Sequence, residues 1–269
     1  MHASTVRTLL VRGMLAGLIA GLFAFAVAYV AGEPSVNGSI AVEEADSARE
    51  AHAGHGGTVA AEAAEEEEEL VSRPVQSTAG LATGVLVYGV AIGGIAALVF
   101  SFALGRVGRF SPRATAALVA AAAFATVYLV PFLKYPATPP AVGNPDTIGK
   151  RTTLFFLMIL LSVLLGIAAV IAGRRLAPRL GNWNATLTAV AGYLVVTGIA
   201  FAVLPDNEDA VKASFPAALL WEFRVASLAV QLTLWAVFGI VFGVLAQKAL
   251  ATRAPSPDAP ARLAAPLAD

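Results

Sequence analysis

The chain has 269 residues, of which 58% are hydrophobic and 13% are charged, and its mean hydropathy is +0.75. This composition has too little polar surface to enclose a water-soluble domain, so it predicts a membrane protein in contact with the lipid bilayer. Lysine plus arginine and aspartate plus glutamate both total 18, and the resulting zero net charge argues against binding of nucleic acid. Because the chain has no cysteine, any bound metal must be held by oxygen or imidazole.

Six apolar stretches are long enough to cross a membrane. A bilayer core of about 30 Å requires roughly 20 apolar helical residues, because every backbone amide must be paired within the segment. None of the stretches alternates like a barrel strand, so the sequence predicts an all-α polytopic transmembrane bundle. The predicted spans are Leu10–Ala31, Thr78–Leu104, Ala114–Leu133, Thr152–Ala172, Trp183–Leu204 and Val225–Leu245. Residues 1–250 are expected to form one membrane domain, followed by a disordered, proline-rich cytoplasmic tail over 251–269.

The first span has two interpretations. Arg7 and Arg12 precede an apolar run that contains the small-residue sequence Ala26-Val27-Ala28, as in a cleaved secretory signal. The run is longer than a usual signal core, however, and it carries glycines at four-residue spacing, which is typical of closely packed helices. We therefore favour a retained helix, and cleavage would leave five spans.

Charged residues predict the orientation of the bundle. If the N-terminus is cytoplasmic, eleven basic residues fall on the cytoplasmic side and six on the other. Positive charge resists translocation, so both termini are predicted to be cytoplasmic. Sixteen of the 18 acidic residues then lie on the outer side, where they would concentrate cations.

Residues 33–77 form the first outer connection and contain most of this acidic charge. Their Ala, Gly and Glu composition offers no core, so most of the segment is expected to be a mobile loop. Imidazole and carboxylate together suit divalent cations such as cobalt, nickel and zinc. The candidate ligands for loose cation capture are His52, His55, Glu43, Glu44, Asp46 and Glu50. The alternative is a solvated loop without a metal site.

Polar residues near the last span suggest a pathway. Arg224 and Gln231 are two helical turns apart, so they share one helix face that could be lined with water. The alternative is that Arg224 is an interfacial anchor and that Gln231 bonds a neighbouring helix.

The end of the third span offers a weaker indication. Pro131 removes a helical hydrogen bond and frees a carbonyl oxygen that could coordinate a cation. Tyr128, Lys134 and Tyr135 follow the same helix end, where interfacial anchoring explains them equally well.

An enzyme is not expected. The chain has no nucleotide-binding loop, zinc-protease motif or hydrolase elbow, and the predicted spans contain no Asp, Glu or His. Converging acid, base or metal groups are therefore missing from the membrane interior. No tightly bound cofactor is predicted.

Three motifs resemble a known family. They are Leu70-Val71-Ser72-Arg73-Pro74-Val75-Gln76 before the second span, Phe132-Leu133-Lys134-Tyr135-Pro136 with Asp146-Thr147-Ile148-Gly149-Lys150-Arg151 in the next outer turn, and Trp221-Glu222-Phe223-Arg224 at the last span. Together these are similar to the CbtA-type family of predicted cobalt transporter subunits. The resemblance implies multi-pass insertion in a bacterial inner membrane and uptake of cobalt, with a link to cobalamin synthesis. It also implies a small one-span, His-rich partner of the CbtB type.

The motifs and the charge distribution lead to one hypothesis. All three motifs lie on the predicted outer side, where a shared vestibule could pass divalent cations inward. Its candidate residues are Arg73, Gln76, Lys134, Tyr135, Asp146, Arg151, Glu222, Arg224 and Gln231. The cationic members are expected to order Glu222 and Asp146 rather than to bind metal. The competing hypothesis is a non-transporting scaffold or accessory subunit, and assembly into a homo-oligomer remains open.

Overall fold

The structure, a computed structural model, is almost entirely helical. It describes residues 3–53, 71–140, 142, 147–207, 211 and 215–251, with the side chains of 50–53 left out. The described part is 89% helical and contains no strand, which confirms the predicted all-α class. The acidic run Glu65–Glu69 and the predicted C-terminal tail after Ala251 lie outside the described residues.

Along the described part of the chain, eight α-helices and three π-helical turns follow one another. The α-helices are α1 (Ala3–Val27), α2 (Glu33–Ala53), α3 (Arg73–Val75), α4 (Leu81–Ala103), α5 (Pro112–Ala123), α6 (Val130–Lys134), α7 (Ile148–Val203) and α8 (Ala217–Ala251). The π-helical turns, Ala28–Gly32, Gln76–Gly80 and Phe124–Leu129, join six of the helices into three longer rods. With α7 and α8, five helical rods in the described part of the chain are long and apolar enough to cross a membrane.

Two π-helical turns come just before a proline. Ala28–Gly32 is followed by Pro34, and Phe124–Leu129 is followed by Pro131. A proline inside a helix lacks an N–H and its ring collides with the carbonyl four residues earlier. The wider π-helical turn relieves this collision and lets the helix continue. The predicted free carbonyl near Pro131 therefore lies in a segment where the helix changes from α-helical to π-helical hydrogen bonding.

The first part of the expected loop is helical, while residues 54–70 lie outside the described residues. Glu33–Ala53 is helical, and with α1 it forms a rod that continues from Ala3 to Arg49. Starting a helix is costly, but extending one that already exists is not, and Ala and Glu favour extension. The composition of the segment alone does not show this effect.

Four helices form the core of the bundle. Helix α1 packs on α4 and α8, and α8 also packs on α5. Aromatic rings fill the centre: Phe100 meets Phe242 edge to face at 5.0 Å, and Phe242 stacks on Phe238 at 5.2 Å between ring centroids. The first helix is therefore an integral part of the packed core.

Glycines bring α1 and α4 into backbone contact. A Cβ on Gly17 would overlap the carbonyl oxygen of Gly89, and one on Gly93 would overlap that of Gly13. Only glycine permits this approach, as the four-residue spacing in α1 predicts. Gly84, also on α4, has nothing within 4 Å of the added Cβ.

Helix α7 is a hairpin of two antiparallel helices. Ser162 Oγ lies 2.8 Å from Tyr193 Oη, although residues 31 apart in a straight helix would be separated by about 46 Å. The reversal includes Pro178 and Gly181, and Gly181 has φ 74° and ψ 160°, a region open essentially to glycine alone. The fourth and fifth predicted spans, Thr152–Ala172 and Trp183–Leu204, are thus the two arms of α7.

Candidate functional site: a polar junction at one end of the bundle

Two hydrogen bonds between helices mark the opposite ends of the bundle. At one end, Arg12 Nη1 of α1 donates to the Leu245 carbonyl oxygen of α8 at 2.5 Å. At the opposite end, Arg224 Nε of α8 donates to the Ala137 carbonyl oxygen at 3.4 Å. This second end is the one that the charge pattern predicts to be outside.

The ends of α6 and α7 are joined by polar contacts. Lys134 Nζ forms an ion pair with Asp206, and Tyr135 Oη donates to the Pro205 carbonyl oxygen at 2.8 Å. With the Arg224–Ala137 bond, these contacts connect the third predicted span, the second arm of α7 and the start of α8. We call Lys134, Tyr135, Ala137, Asp206 and Arg224 the polar junction.

The polar junction is asymmetric in its exposure to solvent. The Lys134 side chain is 9% exposed, whereas that of Asp206 is 90% exposed. Burial raises the pKa of the Tyr135 hydroxyl, so this group stays neutral and remains a hydrogen-bond donor at neutral pH. The junction therefore presents a carboxylate outward and holds an ammonium group beneath it.

Arg73 forms a second cross-link at the same end. Its Nη2 lies 2.5 Å from Glu33 Oε2 and 2.9 Å from Asn37 Oδ1, so it ties the segment before α4 to the first turns of α2. Gly38 of α2 in turn lies against Leu219 of α8, which brings the start of α8 to this end. Gln76 is exposed and donates locally to the Val71 carbonyl oxygen at 2.7 Å.

Two of the cationic residues have partners that were not predicted. Arg73 pairs with Glu33 and Lys134 pairs with Asp206, while Glu222 is exposed. Arg151 is half-buried in the first turn of α7, and its predicted partner Asp146 lies outside the described residues, so that pairing stays a prediction. The reason is that hairpin α7 and rod α1–α2 bring together residues that are far apart in sequence.

Below the polar junction, polar side chains of α4 and α8 approach each other. Gln231 of α8 lies near the Tyr88 hydroxyl of α4. Tyr128 belongs to the π-helical turn Phe124–Leu129, and its ring lies between Phe124 and Phe132.

Of the candidate cation ligands in the acidic segment, the structure describes the side chains of Glu43, Glu44 and Asp46. Glu43 and Glu44 are exposed on α2, and Asp46 pairs with Arg49 at 3.1 Å. Glu50 and His52 lie in α2, but their side chains are outside the described set. His55 lies outside the described residues altogether. No three His, Asp or Glu side chains gather as a metal site among those described.

Sequence reasoning missed Asp206, Glu33, Asn37 and Tyr88. Asp206 lies two residues after the fifth predicted span, and Glu33 lies two residues after the first. Both acidic residues are therefore expected at the same membrane depth as the basic residues that flank other spans. A search for opposite charges at the same membrane depth would have found these two. Nothing in the sequence alone indicates that Tyr88 faces Gln231.

Comparison with known proteins decides the family. A family model described as "Probable cobalt transporter subunit (CbtA)" matches residues 6–247. The chain belongs to the CbtA family. CbtA is a family of transporter subunits and not of enzymes, which confirms the prediction made from the missing catalytic groups. Comparison with curated proteins and with solved structures gives no match.

The CbtA match covers the whole polar junction. Its limits enclose the glycine contact of α1 with α4, both arms of α7 and most of α8. The family description supports a membrane location, transport and cobalt as substrate, and the word subunit implies a partner.

Proposed function

We propose that this CbtA chain is a permease subunit that takes up divalent cations, cobalt foremost, across a bacterial inner membrane. The family match over residues 6–247 is the observation that carries the proposal. The cobalt would serve cobalamin synthesis. The cation is a transported substrate, and no resident cofactor is needed.

The proposed topology has six crossings with both termini in the cytoplasm. Rods α1, α4, α5–α6 and α8 each cross once, and the hairpin α7 crosses twice. The opposite positions of the Arg12–Leu245 and Arg224–Ala137 contacts support this arrangement. So does the position of Arg174, Arg175 and Arg179 near the hairpin turn, since basic residues favour the cytoplasmic side.

The proposed route begins at the acidic segment. Exposed carboxylates of α2, together with the acidic residues that follow it in the sequence, collect cations, and Asp206 places another carboxylate at the polar junction. The route then passes Arg224 toward Gln231 on one face of α8. Inward movement is favoured by the membrane potential, which contributes about 2.3 kcal/mol per elementary charge for each 100 mV.

A partner completes the proposed transporter. The family description as a subunit supports this, and a small one-span, His-rich protein of the CbtB type is the proposed partner. The accessory or scaffold hypothesis has one observation in its favour. Only 11% of the most apolar 18-residue stretch of α7 is buried within the chain, so this stretch offers an apolar surface to lipid or another protein.

Uptake of radiolabelled cobalt separates these hypotheses. Cells that express the chain, with and without a CbtB-like partner, should accumulate cobalt above control cells in at least one case, and unlabelled nickel and zinc should rank the selectivity. Absence of uptake in both cases would favour the scaffold. A matched chain lacking Glu43–Glu69 keeps Arg73, Glu33 and Asn37, and it should take up cobalt less well at low concentration if the acidic segment collects cations.

A further inference from the structure

An apolar groove lies between α5 and α8 on the surface of the bundle. It has a volume of about 240 Å³, and its lining runs from Ala117 to Phe124 on α5 and from Leu232 to Ile240 on α8. The lining consists of alanine, glycine, leucine, isoleucine and aromatic residues. A groove of this kind within a membrane-spanning region is filled either by lipid or by another protein.

Small residues keep the groove open. A Cβ added to Gly239 would lie 3.0 Å from Ala120 Cβ and 3.7 Å from Ala117 Cα, so α5 and α8 are in close contact at this level. Ala117, Ala121 and Ala236 are exposed beside this contact. A single methyl group at each of these positions leaves the space that a larger side chain would fill.

The length of the groove matches one leaflet of a bilayer. The seven residues from Ala117 to Phe124 correspond to about 10 Å along α5, and the eight from Leu232 to Ile240 to about 12 Å along α8. One leaflet contributes about 15 Å to the apolar core of a bilayer. A partner helix that crosses the membrane needs a seam along the whole span, whereas an acyl chain of one leaflet needs only this length.

Arg113 lies at the interfacial end of the groove. It precedes Ala117 by about one helical turn on the same face of α5, and a Cβ added to Gly243 of α8 would lie 3.4 Å from Arg113 Cα. Arg113 comes directly before the third predicted span, and long side chains of a helix lean toward its N-terminal end. The exposed guanidinium group is therefore at the depth of the lipid headgroups.

The charge at this end of the groove is not balanced by the protein. Arg113 takes part in none of the ion pairs among the described residues. The acidic side chains that the structure describes lie in α2, at Asp206 and at Glu222, all toward the opposite end of the bundle. Arg109 is also exposed and adds positive charge near Arg113. A guanidinium group binds a phosphate through two parallel hydrogen bonds, and the cytoplasmic leaflet supplies anionic phospholipid.

We propose that this groove, with Arg113 at its end, binds one anionic phospholipid of the cytoplasmic leaflet. One acyl chain lies along the groove from Ala117 toward Phe124, and the phosphate accepts hydrogen bonds from the Arg113 guanidinium group. The leaflet follows from the proposed orientation of the bundle. The lipid site does not depend on the transport function, because it needs only the contact of α5 with α8 and a surrounding bilayer.

Tryptophan fluorescence tests the proposal, because Trp235 lines the groove and is itself only 4% exposed. Trp183→Phe and Trp221→Phe remove the other two tryptophans, both at exposed positions, from the full chain. This chain is reconstituted in phosphatidylcholine vesicles in which a small fraction of the lipid is phosphatidylglycerol with brominated acyl chains. Bromine quenches tryptophan fluorescence at short range, and brominated phosphatidylcholine at the same fraction is the reference lipid.

Brominated phosphatidylglycerol should quench Trp235 at about one fifth of the fraction that brominated phosphatidylcholine requires, as for one arginine at an anionic headgroup. Arg113→Leu should remove this difference. Arg175→Leu, the matched change of an exposed arginine near the turn of α7, should keep it. Ala121→Leu fills the groove and should weaken quenching by both lipids, whereas Ala122→Leu, exposed on the same helix but outside the groove lining, should not.

Three results would overturn the lipid site. They are equal quenching by the two brominated lipids at every fraction, a preference for phosphatidylglycerol that Arg113→Leu leaves intact, and no quenching by either lipid. The last result would mean that the groove is closed or filled by protein. A helical signal equal to that of the unaltered chain shows that each variant folds.

Discussion

Lys134 and Asp206 show how much an ion pair depends on the surroundings of each partner. The ammonium group is almost enclosed, at 9% exposure, while the carboxylate is 90% exposed. Removing the carboxylate leaves a poorly hydrated cation, whereas removing the ammonium leaves a carboxylate that water can solvate.

A double-mutant cycle tests this asymmetry. Asp206→Ala should lower the free energy of unfolding by about 1–3 kcal/mol, the cost of an enclosed charged donor without its partner. Lys134→Met should cost less than about 1 kcal/mol, the range of an exposed ion pair. The double variant should resemble Lys134→Met, as measured by reversible denaturation in detergent. Equal and additive costs would show that the pair does not act as the structure indicates.

Sequence reasoning identified several site residues but not their partners. Lys134, Tyr135, Arg224 and Gln231 stand at or near ends of predicted spans, where hydropathy makes polar residues conspicuous. Asp206 is 72 positions from Lys134, and their contact depends on the fold of hairpin α7. Such a contact follows from tertiary packing and leaves no local pattern.

At the scale of helices, glycine makes two structural features possible. Between α1 and α4, glycine permits the backbones to touch, and in α7 it permits the chain to reverse. The first role follows from the four-residue spacing of glycines and was predicted. The second was not, because Gly181 follows basic residues and a proline that indicate only a short connection between spans.

Gly93→Ala should destabilise the bundle. An added Cβ would overlap the Gly13 carbonyl oxygen and lie 2.8 Å from Gly17 Cα, and such overpacking costs about 1–3 kcal/mol or more. Gly84→Ala on the same helix meets no neighbour and should be neutral or stabilising by up to about 1 kcal/mol. Thermal unfolding of the two variants in detergent provides the comparison, and equal melting temperatures would argue against the close contact of α1 with α4.

Gly181→Ala should weaken the hairpin. Alanine at φ 74° and ψ 160° is strained by about 1–3 kcal/mol. Gly192→Ala in the second arm, where nothing lies within 4 Å of an added Cβ, is the control. Hydrogen exchange should increase in α7 for the first variant and not for the second. Unchanged protection around Ser162 and Tyr193 would contradict the proposed reversal at Gly181.

Some elements were predictable because they depend on hydropathy alone. Every predicted span lies in a helical rod. Among the described residues, α7 is the element that contains two predicted spans. The helical state of Glu33–Ala53 was not predictable from its own composition, because it depends on continuation from α1 through the π-helical turn before Pro34.

For the whole molecule, the central claim is that the polar junction and the acidic segment face outward while the hairpin turn of α7 faces the cytoplasm. The charge distribution predicts this orientation. The contacts at the two ends of the bundle place Arg12 near Leu245 and Arg224 near Ala137, as the orientation requires. The proposed cation route depends on it, because an inward-facing junction could not receive cations from outside.

Labelling of single cysteines in intact cells tests this claim most directly, and the chain contains no other cysteine to interfere. Ser47 is exposed on α2 and Asn182 is exposed at the turn of α7. With a membrane-impermeant thiol reagent, we expect Ser47→Cys to react in intact cells and Asn182→Cys to react only after permeabilisation. Reaction of both cysteines in intact cells, or of neither, would contradict the orientation and the proposed route with it.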